Sequence, residues 1–166
     1  MSIYANHVIA HTDEIIKSLA RKSGDPLTQV VCIAYDVESR IVTGYGVNRV
    51  IKGLEKNHGV KETIATPQHD AKKFLMVHAE ADFLKKSYNI VPWMRERTGI
   101  YMSLQPCMNC LNQLLDAGYN RVQWKTDNRH QEEQALMKPY LGGMLEYKQN
   151  SEGLHLQFPA WIENDS

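Results

Sequence analysis

The spacing of hydrophobic and polar positions along the chain predicts helices and strands in alternation. Apolar residues that recur on one helical face, such as Val8, Ile15 and Leu19, are typical of an amphipathic helix. Such patterns predict four helices, over residues 7–22, 72–88, 107–117 and about 128–138. Runs rich in β-branched residues predict five strands, over residues 28–35, 40–45, 99–104, 121–125 and 144–148.

The order of these elements predicts the fold class. The first two strands flank a short turn at residues 36–39, which indicates a hairpin, whereas residues 46–70 form a long polar segment without clear periodicity. Helices that alternate with strands favour layers packed on both faces of one sheet. The sequence therefore predicts a three-layer α-β-α sandwich around a mixed five-stranded sheet, with residues 1–166 forming one domain.

Composition narrows the class of protein. The chain has 166 residues, of which 43% are hydrophobic and 23% charged, so it is long enough to bury its own core. No apolar run approaches the roughly 20 residues of a membrane span, and the N-terminal residues lack a basic signal-peptide region, so we expect a cytoplasmic protein without a membrane segment. Nineteen basic residues balance nineteen acidic ones, which argues against a polynucleotide partner and favours a small-molecule substrate.

Two of the three cysteines have the spacing of metal ligands. Cys107 and Cys110 lie three positions apart at the start of a predicted helix, so both sulfurs would face one ion. The alternative is a disulfide between them, but in a reducing cytosol this spacing more often indicates metal or redox chemistry. Cys32 lies in an apolar run, where we expect a small buried hydrophobic side chain.

His78 and Glu80 complete the candidate site. Among the seven histidines, His78 has a glutamate two positions on, beside an apolar segment. Structural zinc is usually held by four protein ligands, whereas catalytic zinc is held by three and keeps one position for water or substrate. One imidazole and two thiolates therefore predict a catalytic zinc site. The alternatives are a core histidine at position 78 and, at position 80, an acid that favours a helix N-terminus.

The chemistry follows from what each group supplies at neutral pH. Zinc lowers the pKa of water bound to it to about 7, so a nucleophile is available without a strong base. Glu80 would transfer protons as both general base and general acid. The first backbone N–H groups of the helix that begins near Ala79 have no helical partner and could bind a substrate carbonyl oxygen.

His78-Ala79-Glu80 together with Pro106-Cys107-Met108-Asn109-Cys110 resembles the signature of the cytidine and deoxycytidylate deaminase superfamily. The resemblance covers nearly the whole chain and is strongest to the deoxycytidylate deaminases, including phage-type members. It implies a cytidine deaminase-like fold, one catalytic Zn²⁺ per chain, and hydrolytic deamination of dCMP to dUMP with release of ammonia, a step that supplies dTTP precursors.

The resemblance also implies a substrate-binding set. Residues 44–53 resemble a deoxycytidylate deaminase loop, in which Asn48 would bind the sugar hydroxyl and Arg49 and Lys52 would lie near the phosphate. The backbone carbonyl of Gln105 would accept a hydrogen bond from the substrate amine. Read from the residues alone, the loop could equally be a solvated turn. Asp82 stands where the family often has asparagine.

The resemblance also implies partners, and two alternative functions stay open. The family implies a homo-oligomer, often a hexamer, and possible dCTP and dTTP effectors. One alternative is a deaminase of another substrate, such as a transfer-RNA adenosine, free cytidine or cytosine. The other is a non-catalytic zinc protein on the same scaffold, against which the presence of Glu80 argues.

Overall fold

The protein is described from a computed structural model, which covers residues 7–67, 70–128, 131–159 and 162. Its centre is a five-stranded sheet. The strands are β2 (Val31–Asp36), β3 (Val42–Val47), β6 (Thr98–Leu104), β7 (Arg121–Thr126) and β8 (Glu146–Gln149), in the spatial order β3-β2-β6-β7-β8. β2 is antiparallel to β3 and to β6, while β6–β7 and β7–β8 are parallel pairs. The predicted mixed five-stranded sheet and its first hairpin are therefore confirmed.

Seven helices are present in the described residues. They are α1 (Thr12–Ala20), α2 (His58–Ile64), α3 (Lys72–Leu75), α4 (Ala79–Lys86), α5 (Pro92–Arg95), α6 (Met108–Asp116) and α7 (Gln131–Leu141). The predicted helices at 107–117 and about 128–138 correspond to α6 and α7, although residues 129 and 130 lie outside the described part of the chain. The polar segment 46–70 contains α2. This helix was not predicted, because the segment lacks clear periodicity. No helix in the described residues is long and apolar enough to span a bilayer.

The prediction of one helix over residues 7–22 was wrong for its first part. Residues His7–His11 form strand β1, which is antiparallel to β9 (His155–Pro159) in a separate two-stranded sheet. Val8 and Ile9 are 62% and 74% exposed, so they do not continue the buried face of α1. The helix begins only after His11, whose Nδ1 accepts a hydrogen bond from the backbone N–H of Asp13 at 3.0 Å.

The predicted helix over residues 72–88 is also divided. After α3 the chain forms a short strand, β5 (Met76–Val77), which pairs antiparallel with β4 (Arg49–Val50). His78 then has extended backbone angles, φ −67° and ψ 155°, and α4 begins at the next residue. A ladder formed with residues far away in the sequence therefore interrupts a segment that is helical by local pattern.

Two apolar clusters lie on opposite faces of the sheet. Alternate residues of β2 separate them, since Ile33 and Tyr35 belong to the cluster that contains α1, whereas Cys32 and Ala34 belong to the cluster that contains α4 and α6. Cys32 is fully buried, as predicted. The burial of both faces accounts for the almost continuous apolar sequence of β2 and for the three-layer α/β arrangement.

Gly46 allows α4 to pack directly on β3. A Cβ atom at this position would lie 2.2 Å from the carbonyl oxygen of Ala79 and 2.4 Å from the backbone nitrogen of Phe83. Both atoms belong to the backbone of α4, so no side-chain rotation relieves the clash. The distance between this strand and this helix therefore requires glycine.

We expect Gly46→Ala to lower the free energy of unfolding by about 1–3 kcal/mol or more, because the added methyl group overpacks the α4–β3 contact. Urea unfolding followed by circular dichroism would measure the change. Gly142→Ala is the matched control, since no atom lies within 4 Å of its added Cβ. A Gly46→Ala variant as stable as this control would contradict the packing described here.

Candidate active site

The candidate metal ligands lie at the first turns of two neighbouring helices. His78 is the N-cap residue of α4 and Cys107 is the N-cap residue of α6, both with extended backbone. Glu80 and Cys110 lie within the first turns that follow. Since both helices pack on the same face of the sheet, through Phe83 and Leu111 among others, their N-termini meet at one place.

The four predicted side chains come together. One ligand atom from each of His78, Glu80, Cys107 and Cys110 lies within 4.8 Å of the others, and the group could hold a metal ion. Nδ1 of His78 is 3.2 Å from Sγ of Cys110 and 3.7 Å from Sγ of Cys107. His78 is exposed, so the alternative of a core histidine is wrong. The alternative of a disulfide between Cys107 and Cys110 is also wrong, because all three cysteines are free.

Burial and hydrogen bonding shift the ionisation of this cluster. Glu80 is only 3% exposed, and the removal of its carboxyl group from water raises its pKa. A hydrogen bond from Cys110, with a further one from His78, lowers the pKa of Cys107 to about 4. The same interaction raises the pKa of Cys110. The cluster therefore presents one readily formed thiolate beside a buried carboxyl group.

A cavity of about 410 Å³ opens beside the cluster. This volume lies in the range of small-molecule sites, about 300–1,000 Å³. Its wall includes His78, Glu80 and Cys107 of the cluster, together with the predicted residues Ala79 and Gln105. The arrangement can place a small molecule against both the ligand cluster and a buried carboxyl group.

Asn48 lies in the cavity wall and is 8% exposed, so it does not belong to a solvated turn. Its Oδ1 accepts hydrogen bonds from the Ser23 hydroxyl at 2.5 Å and from the backbone N–H of Val30 at 2.9 Å. Its Nδ2 donates to the carbonyl of Thr28 at 2.7 Å. Asn48 therefore fixes the loop before β2 as part of the wall.

Arg49 and Lys52 are not brought to this cavity. Nε of Arg49 donates to Oδ1 of Asp82 at 2.7 Å, and the buried Asp82 carboxylate also accepts from the backbone N–H of Val47 and pairs with Lys86. Lys52 is exposed in a turn. Because a buried carboxylate is costly without a partner, Asp82 directs Arg49 toward α4 and away from the cavity.

Gln105 joins the cavity to α7. Its side-chain Oε1 accepts from Nε2 of Gln131 at 2.7 Å, and its Nε2 donates to the hydroxyl of Tyr147 at 3.2 Å. The backbone carbonyl of Gln105 accepts from Nδ2 of Asn128 at 3.1 Å, which leaves one lone pair of that carbonyl for a further donor. Asn128 lines the cavity as well.

Sequence reasoning missed five polar residues of the wall, which are Asp25, Thr28, Lys72, Lys73 and Asn128. Lys72 and Lys73 are adjacent basic residues and therefore gave a weak charge signal. Their role was obscured because the segment was predicted as one continuous helix.

These features define an α/β sandwich with a histidine–cysteine cluster at two helix N-termini, open to a cavity. No protein-family model matches the chain, and no curated protein sequence matches it. Among solved structures it is similar to the dCMP deaminase of the cyanophage S-TIM5 in apo form, with a TM-score of 0.53, 15% identity, and coverage of 82% of this chain and 92% of that one. The complex of the same enzyme with dCMP and dUMP gives a TM-score of 0.54, 17% identity and coverage of 81% and 91%. The predicted cytidine deaminase-like fold is therefore confirmed.

Asp82 should stabilise the folded protein near the site through its hydrogen bonds and ion pairs. We expect Asp82→Ala to lower the free energy of unfolding by about 2–4 kcal/mol, because it leaves the N–H of Val47 and the Arg49 guanidinium without their acceptor. Chemical unfolding would measure the loss. Asp116→Ala removes an exposed carboxylate of α6 and should be near neutral. Equal effects of the two substitutions would show that Asp82 does not stabilise the protein.

Proposed function

We propose that the protein is a zinc-dependent deaminase that hydrolyses dCMP to dUMP and ammonia. The observation that carries the proposal is the buried Glu80 carboxyl group, which lies within 4.8 Å of one histidine nitrogen and two cysteine sulfurs beside a cavity. A purely structural metal site gains nothing from a proton carrier in that position. The similarity in fold to an enzyme crystallised with dCMP and dUMP supports the choice of substrate.

The donor set fits zinc. Cysteine thiolates and imidazole are preferred zinc ligands, with Zn–S and Zn–N distances of about 2.3 and 2.0 Å. At tetrahedral angles these bonds place nitrogen and sulfur about 3.5 Å apart. The N–S distances of 3.2 and 3.7 Å from His78 to Cys110 and Cys107 lie on either side of that value. His78, Cys107 and Cys110 would hold the ion and leave its fourth position for water.

A zinc ion in this site supplies Lewis acidity, which makes water nucleophilic near neutral pH. Glu80 accepts a proton from the attacking water and delivers it to N3 of the cytosine ring. It then takes the proton of the new C4 hydroxyl and delivers that proton to the departing amine. The C4–N bond breaks, a C4–O bond forms, and ammonia leaves. The raised pKa of the buried Glu80 suits a group that must both accept and donate a proton.

The cavity wall would orient the base and the sugar. The backbone N–H of Ala79, at the start of α4, would bind the carbonyl oxygen of the base. The Gln105 carbonyl has a lone pair for the exocyclic amine, and Asn48 in the cavity wall would donate the second N–H of its Nδ2 to the sugar hydroxyl. These contacts would hold the amine-bearing carbon against the ligand cluster.

Four further features stay predictions of the sequence. They are homo-oligomeric assembly, regulation by dCTP or dTTP, cytoplasmic location and a single domain over residues 1–166. Size-exclusion chromatography with light scattering would determine the oligomeric state. Kinetics with added dCTP and dTTP would determine the regulation.

We expect the purified protein to contain one zinc ion per chain. Cys107→Ser should lose this zinc and should unfold at a lower temperature, because the free energy of metal binding also stabilises the folded state. Elemental analysis and thermal unfolding would measure both effects. Cys32→Ala is the control. Cys32 is buried outside the cluster, so this variant should keep its zinc. Full zinc content in Cys107→Ser would exclude that ligand.

The reaction itself is tested with Glu80→Gln. Turnover of dCMP should fall by about 10²- to 10⁴-fold, as expected for a lost general acid or base, while zinc content stays near one. The exposed Glu133→Gln substitution on α7 is the matched control. A spectrophotometric panel of dCMP, CMP, deoxycytidine and adenosine would identify the preferred substrate. If the wild-type protein deaminates none of them while it holds zinc, the proposed function is wrong.

A further inference from the structure

We propose that Lys73, assisted by Lys72, binds the phosphate of a nucleoside monophosphate at the rim of the cavity. This inference rests on the proposed function, since it takes the cavity beside Glu80 as the substrate site. It replaces the assignment of the phosphate to Arg49 and Lys52 that the sequence favoured.

Both lysines line the same cavity as His78 and Glu80. They belong to the short helix α3, which ends immediately before the β5 strand that leads to His78. The pairing of β5 with β4 fixes the position of α3 relative to the ligand cluster. Lys72 and Lys73 are therefore held beside the cavity by the same backbone ladder that positions the metal ligand.

Lys72 is already paired within the wall. Its Nζ donates to Oδ1 of Asp25 at 3.0 Å, and the side chains are 19% and 6% exposed. The same Asp25 oxygen accepts from the backbone N–H groups of Leu27 and Thr28. Since an ammonium group has three donors, Lys72 keeps others for a ligand while Asp25 fixes its position.

Lys73 carries a positive charge that is not neutralised within the cavity wall. Its Nζ lies 5.1 Å from the ring centroid of Phe74, and no carboxylate pairs with it in the described residues. Asp25 and Lys72 neutralise each other, so Lys73 leaves the outer wall with a net positive charge. A lysine ammonium group is a common partner of phosphate, and such charge-assisted hydrogen bonds are among the strongest.

The basic residues of the 44–53 loop do not compete for this role. Arg49 is bound to Asp82, and Lys52 lies in an exposed turn beside Gly53. Of the described lysines and arginines, those that line the cavity are Lys72 and Lys73. The substrate class that fits is a nucleotide whose base reaches Glu80 while its phosphate stays at the rim.

Binding of reaction products to the zinc-loaded protein tests the proposal without turnover. Calorimetric titration with dUMP should show an affinity about 10- to 100-fold weaker for Lys73→Gln than for the wild type, as expected for one lost charge-assisted bond. Deoxyuridine, which has no phosphate, should bind both proteins equally. Lys73→Arg should retain most of the affinity, and Lys85→Gln, on the exposed side of α4, should match the wild type.

Three outcomes would overturn the proposal. These are unchanged dUMP binding in Lys73→Gln, an equal loss for dUMP and deoxyuridine, and an absence of dUMP binding to the wild type. A loss of dUMP affinity in Lys52→Gln instead of Lys73→Gln would return the phosphate to the loop. The proposed reaction can fail separately, because Lys73-dependent dUMP binding without ammonia release from dCMP would retain the binding site and exclude the deaminase.

Discussion

The close packing of α4 on β3 is the constraint on which the site depends. Gly46 lets the helix backbone approach the strand, and this approach sets how close α4 lies to the sheet and therefore where His78 and Glu80 lie. α6 packs on the same face of the sheet and brings Cys107 and Cys110 to the same point. The ligand cluster is thus a consequence of two helices that share one apolar layer.

Asp82 links the packing of α4 on β3 to the charged groups around it. It lies two residues after Glu80 on α4, yet its carboxylate binds the end of β3 through Val47 and the start of β4 through Arg49. A buried carboxylate that meets a backbone N–H and two cations is satisfied, so it can stabilise the contact between helix and sheet. The Asp82 carboxylate therefore explains why Arg49 is not available at the cavity.

The sequence predicted the features that depend on local pattern. The apolar strands, α6 and the spacing of Cys107 and Cys110 are all local, and the structure has them where they were expected. The β1–β9 and β4–β5 pairs could not be predicted in this way, because each joins residues far apart in the chain. Since β4–β5 divides the predicted helix, the position of Lys72 and Lys73 at the cavity was hidden for the same reason.

The low identity to the cyanophage enzyme has a physical explanation. A fold of this kind needs alternating apolar positions in the strands, an apolar face on each helix and a few exact contacts such as that at Gly46, and many sequences meet these conditions. The ligand cluster needs only four side chains at two helix starts. The outer wall of the cavity has no such constraint, because it consists of loops and the short helix α3, where polar residues can change without loss of the core. The fold can therefore persist at 15–17% identity, because its requirements leave most positions, including those of the outer wall, free to change.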